Sequence, residues 1–134
     1  MGAASAWRDA LVQGSDIDSD AVLVSNENAH LNGFGQRLRF IKANGLSHPT
    51  LASNGPYDLV IANILANPLR KLAIDIHRAA AARGRIILSG LREEQQTKVF
   101  EAYRRHGYRF ENRRIIDGWA TLTLRRGVHC VTSK

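Results

Sequence analysis

A near-continuous apolar run of strand length occupies residues 57–62, and polar residues and a helix signal follow it at once. Such a run is typical of a parallel strand covered on both faces, because a strand with one face exposed to solvent alternates apolar and polar residues. Asn63 ends the run, and Asn67 before Pro68 suits a helix cap with proline at the first helical position. We therefore predict a central strand, a short loop and a helix start.

The rest of the chain alternates between strand-like and helix-like patterns. Strands are predicted at 12–17, 37–42 and 85–89, helices at 3–11, 21–31, 68–83 and 92–106, and a polar loop at 44–56. The runs 108–116 and 119–124 flank Asp117-Gly118, a pair typical of a two-residue hairpin. This order predicts an α/β fold with a doubly wound, mostly parallel sheet and a C-terminal antiparallel hairpin.

Length and composition favour one ordinary globular domain over residues 1–134, with 44% hydrophobic residues for a core. A single cysteine, Cys130, excludes a disulfide within the chain and a cysteine-type metal site. The histidines have no metal-ligand spacing, so we expect no metal. No apolar run is long enough for a membrane span and no signal peptide is evident, so a cytoplasmic protein is expected.

The net charge of +7 arises entirely in the last third of the chain. Residues 1–82 carry seven Lys or Arg and seven Asp or Glu, whereas residues 83–134 carry twelve and five. This excess suits either a nucleic-acid or ribosome-facing surface or arginines on solvated helix faces. The region lacks the interleaved aromatic residues of RNA-binding surfaces, so nucleic acid is the least favoured partner.

Polar side chains follow three of the predicted strands, where the ligand crevice of an open α/β sheet lies. Asp16 could accept hydrogen bonds from two ribose hydroxyls, or it could be a solvated strand end. Asp18 or Ser19 suits a helix cap. Asn44 is placed to meet an adenine, and Asn63 would project into the crevice. The Gly33-Phe34-Gly35 segment follows a helix rather than a strand, so it predicts a plain turn and not a phosphate loop.

Four segments together resemble the class I S-adenosylmethionine-dependent methyltransferases, and within them the PrmA-type ribosomal-protein methyltransferases. They are Asp16-Ile-Asp18, Glu27-Asn-Ala-x-x-Asn-Gly33, Asp58-Leu-Val-Ile-Ala-Asn-Ile-Leu-Ala-Asn-Pro-Leu69 and Ile87-Leu-Ser-Gly90. The Ala-Asn-Ile-Leu-Ala-x-Pro-Leu pattern is specific to that family and its near relatives. The resemblance covers about residues 10–126 and implies a seven-stranded sheet with one reversed strand.

The resemblance also implies roles for individual residues. The cofactor, S-adenosylmethionine, would lie across the carboxyl ends of the first strands, and a ribosomal-protein amine would approach the loop at Asn63. The side-chain oxygen of Asn63 and the neighbouring backbone carbonyls would orient that amine, which is catalysis by proximity. The implied sets are Asp16 and Ile17 at the ribose, Asn44 and Gly45 near the adenine, Asn63 at both cofactor and substrate, and Ile64 and Leu65 at the amine.

The 134 residues depart from the family in lacking its first strand, its Asp-x-Gly-x-Gly-x-Gly loop and its N-terminal recognition domain. We therefore expect a truncated methyltransferase domain that binds S-adenosylmethionine weakly or not at all. The strands at 12–17 and 57–62 would each expose an unpaired edge and could join two copies in a homodimer. Three functions stay open: N-methylation of a ribosomal-protein lysine or N-terminal amine, a catalytically inactive remnant, and a basic RNA- or ribosome-binding module.

Overall fold

The computed structural model describes residues 11–35 and 37–127. The chain divides into two compact units, with the boundary between Ser53 and Asn54. All but the last residue of the helix expected at 3–11, and also Cys130, lie outside the described residues. Each unit contains its own sheet.

The first unit is a strand–helix–strand crossover followed by a short helix. Its elements are β1 (Val12–Asp16), α1 (Ser19–Leu31), β2 (Leu38–Lys42) and α2 (Pro49–Ser53). The strands β1 and β2 are parallel, with Val12 opposite Leu38 and Asp16 opposite Lys42. The predicted β–α–β order is confirmed here.

A side-chain cap and a glycine fix the two ends of α1, and a polar side chain fixes its position on the sheet. Asp18 caps the helix, because its carboxylate accepts a hydrogen bond of 2.9 Å from the Asp20 N–H. Gly33 follows the helix with a φ of 80°, so 33–35 is the expected turn. Asn26 bonds the backbone of Phe40 in both directions, at 2.8 and 3.0 Å. Helix α1 is thereby held on β2.

Residues 44–56 were expected to form a loop, but the structure places α2 inside this stretch. Pro49 begins the helix, and the His48 Nδ1 accepts a hydrogen bond of 3.1 Å from the Thr50 N–H. Leu51 is only 4% exposed and supplies the apolar contact. A five-residue helix of this kind leaves too few apolar positions for a periodic pattern.

The second unit is a mixed four-stranded sheet with helices. Its strands lie in the order β3-β4-β6-β5. The strand β3 is parallel to β4, and β6 is antiparallel to both of its neighbours, so one strand is reversed, as the resemblance implied. The elements are β3 (Tyr57–Asn63), α3 (Ala66–Lys71), α4 (Ala73–Ala79), β4 (Ala80–Arg92), a 3₁₀ turn (Glu93–Gln95), α5 (Gln96–Arg104), β5 (Tyr108–Ile116) and β6 (Trp119–Arg126).

The strand β3 differs from the expected central strand covered on both faces. Within the described residues of its unit it lies at the edge of the sheet, with β4 on one side. Ile61, in the middle of the strand, is 55% exposed. Apolar content alone predicted burial, but burial depends on what packs against the strand.

The helix after β3 begins earlier and ends earlier than predicted. Leu65 is the capping residue, so Asn67 and Pro68 lie in the first turn of α3. Proline is tolerated there because the first N–H groups of a helix have no intrahelical acceptor. The single helix expected up to Gly84 is divided at Leu72, and it ends because the backbone of Ala80 joins β4 beside Tyr57.

A buried hydrogen bond locks α5 onto α3. The Tyr103 hydroxyl donates to the Leu69 carbonyl at 2.7 Å, and both side chains are fully buried. Burial raises the pKa of Tyr103 well above its ordinary value, so the hydroxyl remains a donor. The hairpin is as predicted, since Asp117 and Gly118 take φ values of 51° and 80°, which a two-residue primed turn requires.

Candidate functional site

Asn63 is the last residue of β3, and it lies opposite Ser89 of β4 at the carboxyl edge of the parallel pair. Its side chain is exposed and forms no hydrogen bond with another described residue. Asn63 therefore carries a free amide oxygen and amide N–H₂ at the sheet edge where α/β proteins bind their ligands.

Gly90 shapes the loop that holds Asn63. A Cβ atom added at Gly90 would lie 2.5 Å from the Ile64 carbonyl oxygen and 3.0 Å from the Asn63 Oδ1. Gly90 also has a φ of 86°, in the region that favours glycine. It sits where the register between β4 and β6 shifts, between Leu88 and Leu91. This irregularity lets the β3–α3 loop approach the backbone of β4.

The two residues after Asn63 contribute differently. The Leu65 carbonyl accepts a hydrogen bond of 3.0 Å from the Leu69 N–H as α3 begins, and the Leu65 side chain is 69% exposed. The Ile64 carbonyl lies against Gly90. Among the predicted catalytic residues Asn63, Ile64 and Leu65, the Leu65 carbonyl is therefore occupied by the helix, whereas the Asn63 side chain and the Ile64 carbonyl form no hydrogen bond with another described residue.

In the first unit, Asp16 lies at the carboxyl end of β1 and is exposed. One carboxylate oxygen, Oδ1, accepts a hydrogen bond of 3.0 Å from the Asp18 N–H, which fixes the side chain. The other oxygen accepts no hydrogen bond from a described residue. Ile17, the next predicted contact, is 67% exposed.

The structure brings Asp16 close to the predicted adenine segment. The backbone carbonyl of Asp16 accepts a hydrogen bond of 2.9 Å from the Ala43 N–H, and the Ser15 hydroxyl donates to the Gly45 carbonyl at 2.7 Å. Gly45 adopts a φ of 63°, and Asn44 beside it is exposed. The carboxyl edge of β1 and β2 therefore carries both the fixed Asp16 carboxylate and the exposed Asn44.

The sequence did not assign a role to Ser15 or to Gly90. The signal for Gly90 is a glycine inside a strand pattern, which indicates a bulge or a close backbone approach. Ser15 has no such signal, because its role depends on the register that places β1 beside the segment after β2.

Two further observations concern the described residues as a set. No three His, Cys, Asp or Glu side chains in this part of the chain come together in a way that could hold a metal ion. None of its helices combines the length and the apolar character needed to span a bilayer.

Comparison with known proteins identifies the family of the chain. A family model described as ribosomal protein L11 methyltransferase (PrmA) matches residues 3–127. The ribosomal protein L11 methyltransferase of Bradyrhizobium diazoefficiens is 47% identical over 115 residues, which are 86% of this chain and 39% of that relative. This chain thus spans about two fifths of the length of the curated relatives it matches.

Solved structures show the same architecture. The ribosomal protein L11 methylase of Lactobacillus delbrueckii subsp. bulgaricus superimposes with a TM-score of 0.76 and 26% identity, covering 86% of this chain and 57% of that one. An RNA methyltransferase from Salinibacter ruber in complex with S-adenosyl-L-homocysteine shares the fold alone, with a TM-score of 0.65 and 12% identity over 90% of this chain and 69% of that one. The chain therefore belongs to the PrmA family of ribosomal protein L11 methyltransferases.

Proposed function

We propose that the chain carries the nucleoside-binding edge and the acceptor edge of an S-adenosylmethionine-dependent N-methyltransferase that acts on ribosomal protein L11, at a lysine or at the N-terminal amine. The observation that carries this proposal is the free amide of Asn63 at the end of β3, in a loop that closely approaches Gly90. Family membership supports the reaction class and the substrate.

The residues of the first unit fit the nucleoside part of this cofactor. A ribose presents two hydroxyl donors and an adenine presents an amine donor, so the protein must supply acceptors. The Asp16 carboxylate has one oxygen free of partners among the described residues, and Asn44 offers an amide oxygen two residues after β2. The bond between Ser15 and Gly45 holds these two acceptors at one edge. The bound cofactor supplies a methyl group on a positively charged sulfur.

Asn63 would act by positioning rather than by acid–base chemistry. Its Oδ1 can accept a hydrogen bond from an N–H of the substrate amine, which leaves the nitrogen lone pair directed away from the amide. The amine must arrive neutral, because a protonated amine has no lone pair. An amide is suited to this role since it neither takes up nor releases a proton near neutral pH, and hydrogen bonding and orientation are its whole contribution.

We further propose that the 134-residue chain alone binds the cofactor weakly and does not turn over. Its sequence contains no Asp-x-Gly-x-Gly-x-Gly loop to wrap the methionine part of the cofactor. Within the described residues of its unit, the strand β3 neighbours β4 on one side only, and the stretch around Ile61 could pair with a second copy on the other side. An in-frame glycine-rich loop in the coding DNA upstream of Met1 would indicate part of an active enzyme rather than an inactive remnant.

Calorimetry and light scattering on the full 134-residue chain test this proposal. We expect no saturable heat with S-adenosylmethionine or S-adenosylhomocysteine at micromolar concentrations, no transfer of labelled methyl to L11, and a mass above that of a monomer. Micromolar binding by a clean monomer would show that the chain builds a cofactor site without the glycine-rich loop, and the proposal of weak binding would then be wrong.

A further inference from the structure

Ser89 of β4 lies directly opposite Asn63 of β3. The two strands are parallel, and their register is unbroken over the five pairs that run from Leu59 and Arg85 to Asn63 and Ser89. Successive side chains of a strand alternate between the two faces of a sheet, so residues in register on neighbouring strands share a face. The Asn63 amide and the Ser89 hydroxyl therefore leave the sheet on the same face, from strands about 4.8 Å apart.

The Ser89 hydroxyl takes no part in the packing of the second unit. Leu88, the residue before it, is fully buried and projects to the other face of the sheet. Ser89 is half-buried, and its hydroxyl forms no hydrogen bond with another described residue. A serine hydroxyl has two acceptor lone pairs and a proton that rotates to suit its partner. Ser89 thus brings an uncommitted acceptor to the position beside Asn63.

The Asn63 side chain is directed toward β4. Its Oδ1 lies 3.0 Å from the position that a Cβ atom on Gly90 would occupy, so the amide lies beside the Ser89–Gly90 peptide. No hydrogen bond joins the amide to the Ser89 hydroxyl. The two acceptors are therefore neighbours that do not satisfy each other, and both can bind a third group.

The backbone carbonyls of the same loop are more obstructed. The Ile64 oxygen would lie only 2.5 Å from a Cβ on Gly90, so it packs against the backbone of that residue. The Leu65 carbonyl accepts the hydrogen bond from the Leu69 N–H with which α3 begins. Among the acceptors around the loop, the side chains of Asn63 and Ser89 are those least covered by described backbone.

Two acceptors orient an amine where one acceptor does not. A neutral primary amine has two N–H bonds and one lone pair. With a single hydrogen bond to the Asn63 Oδ1, the amine can still turn about that bond, and its lone pair has no fixed direction. A second hydrogen bond, from the other N–H to the Ser89 Oγ, removes this rotation. A fixed lone pair lowers the barrier to attack on a methyl group.

We propose that Ser89 is a further catalytic residue, whose hydroxyl oxygen accepts one N–H of the substrate amine while the Asn63 Oδ1 accepts the other. This inference rests on the proposed function, because it concerns the same transfer of a methyl group to an amine. The amine lone pair forms the new N–C bond, and the electron pair of the broken C–S bond stays on the sulfur, which becomes neutral. The methylated ammonium then releases a proton to water.

Steady-state kinetics with labelled S-adenosylmethionine and purified ribosomal protein L11 test this inference. The enzyme is the full 134-residue chain, joined to the part of the Bradyrhizobium diazoefficiens relative that precedes its matched region. We expect Ser89→Ala to lower kcat about 3- to 10-fold, as the loss of one neutral hydrogen bond does. Calorimetry should show an unchanged Kd for S-adenosylmethionine, because Ser89 contacts the amine and not the cofactor.

Two further substitutions separate the hydroxyl from the fold. Ser89→Thr keeps the hydroxyl on a residue that suits a strand, and it should retain most of the parental kcat. Thr123→Ala is the matched control, because Thr123 is a half-buried hydroxyl residue of β6 without a side-chain hydrogen bond to another described residue. This control should keep the parental kcat. If Ser89→Ala is unfolded, Ser89→Cys, with a similar volume and a weak acceptor, replaces it and should be equally slow.

The double variant Asn63→Ala/Ser89→Ala tests whether the two side chains hold the same nitrogen. If they do, Ser89→Ala should slow the Asn63→Ala variant by a smaller factor than it slows the parent. The shape of the dependence of kcat on pH should be the same in the parent and in Ser89→Ala, because a serine hydroxyl does not titrate near neutral pH. A shifted profile would assign Ser89 to proton transfer and overturn the proposal.

Three other results would also overturn it: a folded Ser89→Ala variant with the parental kcat, a Ser89→Thr variant as slow as Ser89→Ala, or an equal loss in Thr123→Ala. If Asn63→Ala is slow while Ser89→Ala keeps the parental kcat, the proposed function stands and the role of Ser89 alone is wrong. A folded fusion that binds the cofactor but does not label L11 would contradict the proposed function and, with it, this inference.

Discussion

The Ile64 carbonyl oxygen lies close to the backbone of Gly90, which has no side chain. A Cβ atom at position 90 would lie 2.5 Å from that oxygen. The substitution Gly90→Ala should therefore displace the Asn63 loop. It should cost about 1–2 kcal/mol for the left-handed backbone, and about 1–3 kcal/mol more for the clash. Gly107→Ala is the matched control, because Gly107 has a φ of 87° and no atom within 4 Å of its added Cβ.

Urea unfolding of the two variants measures the difference. We expect Gly107→Ala to lose only the backbone contribution and Gly90→Ala to lose clearly more. Equal losses would mean that the loop does not press on Gly90, and the account of how Asn63 is held would be wrong.

Asp16→Ala should weaken cofactor binding because a fixed carboxylate acceptor is lost. The measurement needs a chain that contains the glycine-rich loop, so we would join residues 11–127 to the preceding part of the Bradyrhizobium diazoefficiens relative. We expect a loss of about 1.5–3 kcal/mol in S-adenosylmethionine binding by calorimetry. Asp20→Ala, in the first turn of α1, is the control and should bind as the parent does. Unchanged affinity of Asp16→Ala would identify Asp16 as a solvated strand end.

A histidine pair in the second unit makes stability dependent on pH. The rings of His77 and His106 stack with centroids 4.9 Å apart, and the buried His77 Nδ1 has no hydrogen-bond partner among the described residues. Burial lowers the pKa of His77 below its ordinary 6.5, with further lowering by the charges of Arg126, His106 and Arg78. The folded protein therefore takes up this proton at lower pH than the unfolded chain does.

The sign of the effect follows from that difference. Well above pH 6.5, His77 is neutral in the folded and the unfolded state and does not change the free energy of unfolding. As the pH falls below 6.5, the unfolded chain binds the proton first, so the free energy of unfolding decreases until the pH has passed the lower pKa of the folded state. Melting temperatures should therefore drop between pH 7.5 and pH 5, and His77→Gln should flatten the drop. His30→Gln, in the other unit and at a side chain with no hydrogen bond to another described residue, should not. Parallel curves for the parent and His77→Gln would contradict this assignment.

The sequence predicted best where a structure depends on local chemistry. Asp117 and Gly118 fix the hairpin because they accept positive φ values, and Asp18 caps α1 with its own side chain. The approach of the segment at Gly45 to the end of β1 was also foreseeable, because parallel strands align their carboxyl ends.

Features that depend on distant partners were not foreseeable. The helix expected up to Gly84 ends at Ala79 because the backbone of Ala80 pairs beside Tyr57 of β3, which no local pattern reveals. The sequence shows a glycine at position 90, but its role depends on its contact with Ile64, which lies 26 positions earlier in the chain.

Asn63 provides the central test, because an exposed amide without a partner among the described residues should matter to chemistry and not to folding. In the same chimera, Asn63→Ala should keep the melting temperature while the rate of methyl transfer falls roughly tenfold or more. Asn112→Ala, an exposed amide on β5, is the matched control and should retain full activity.

The deciding measurement is the initial rate of tritiated methyl transfer from S-adenosylmethionine to purified ribosomal protein L11 by the chimera, its Asn63→Ala variant and its Asn112→Ala variant. We predict labelled L11 with the chimera and with Asn112→Ala, and at least a tenfold slower rate with Asn63→Ala. A folded chimera that binds the cofactor but leaves L11 unlabelled, or an Asn63→Ala variant with the parental rate, would contradict the account.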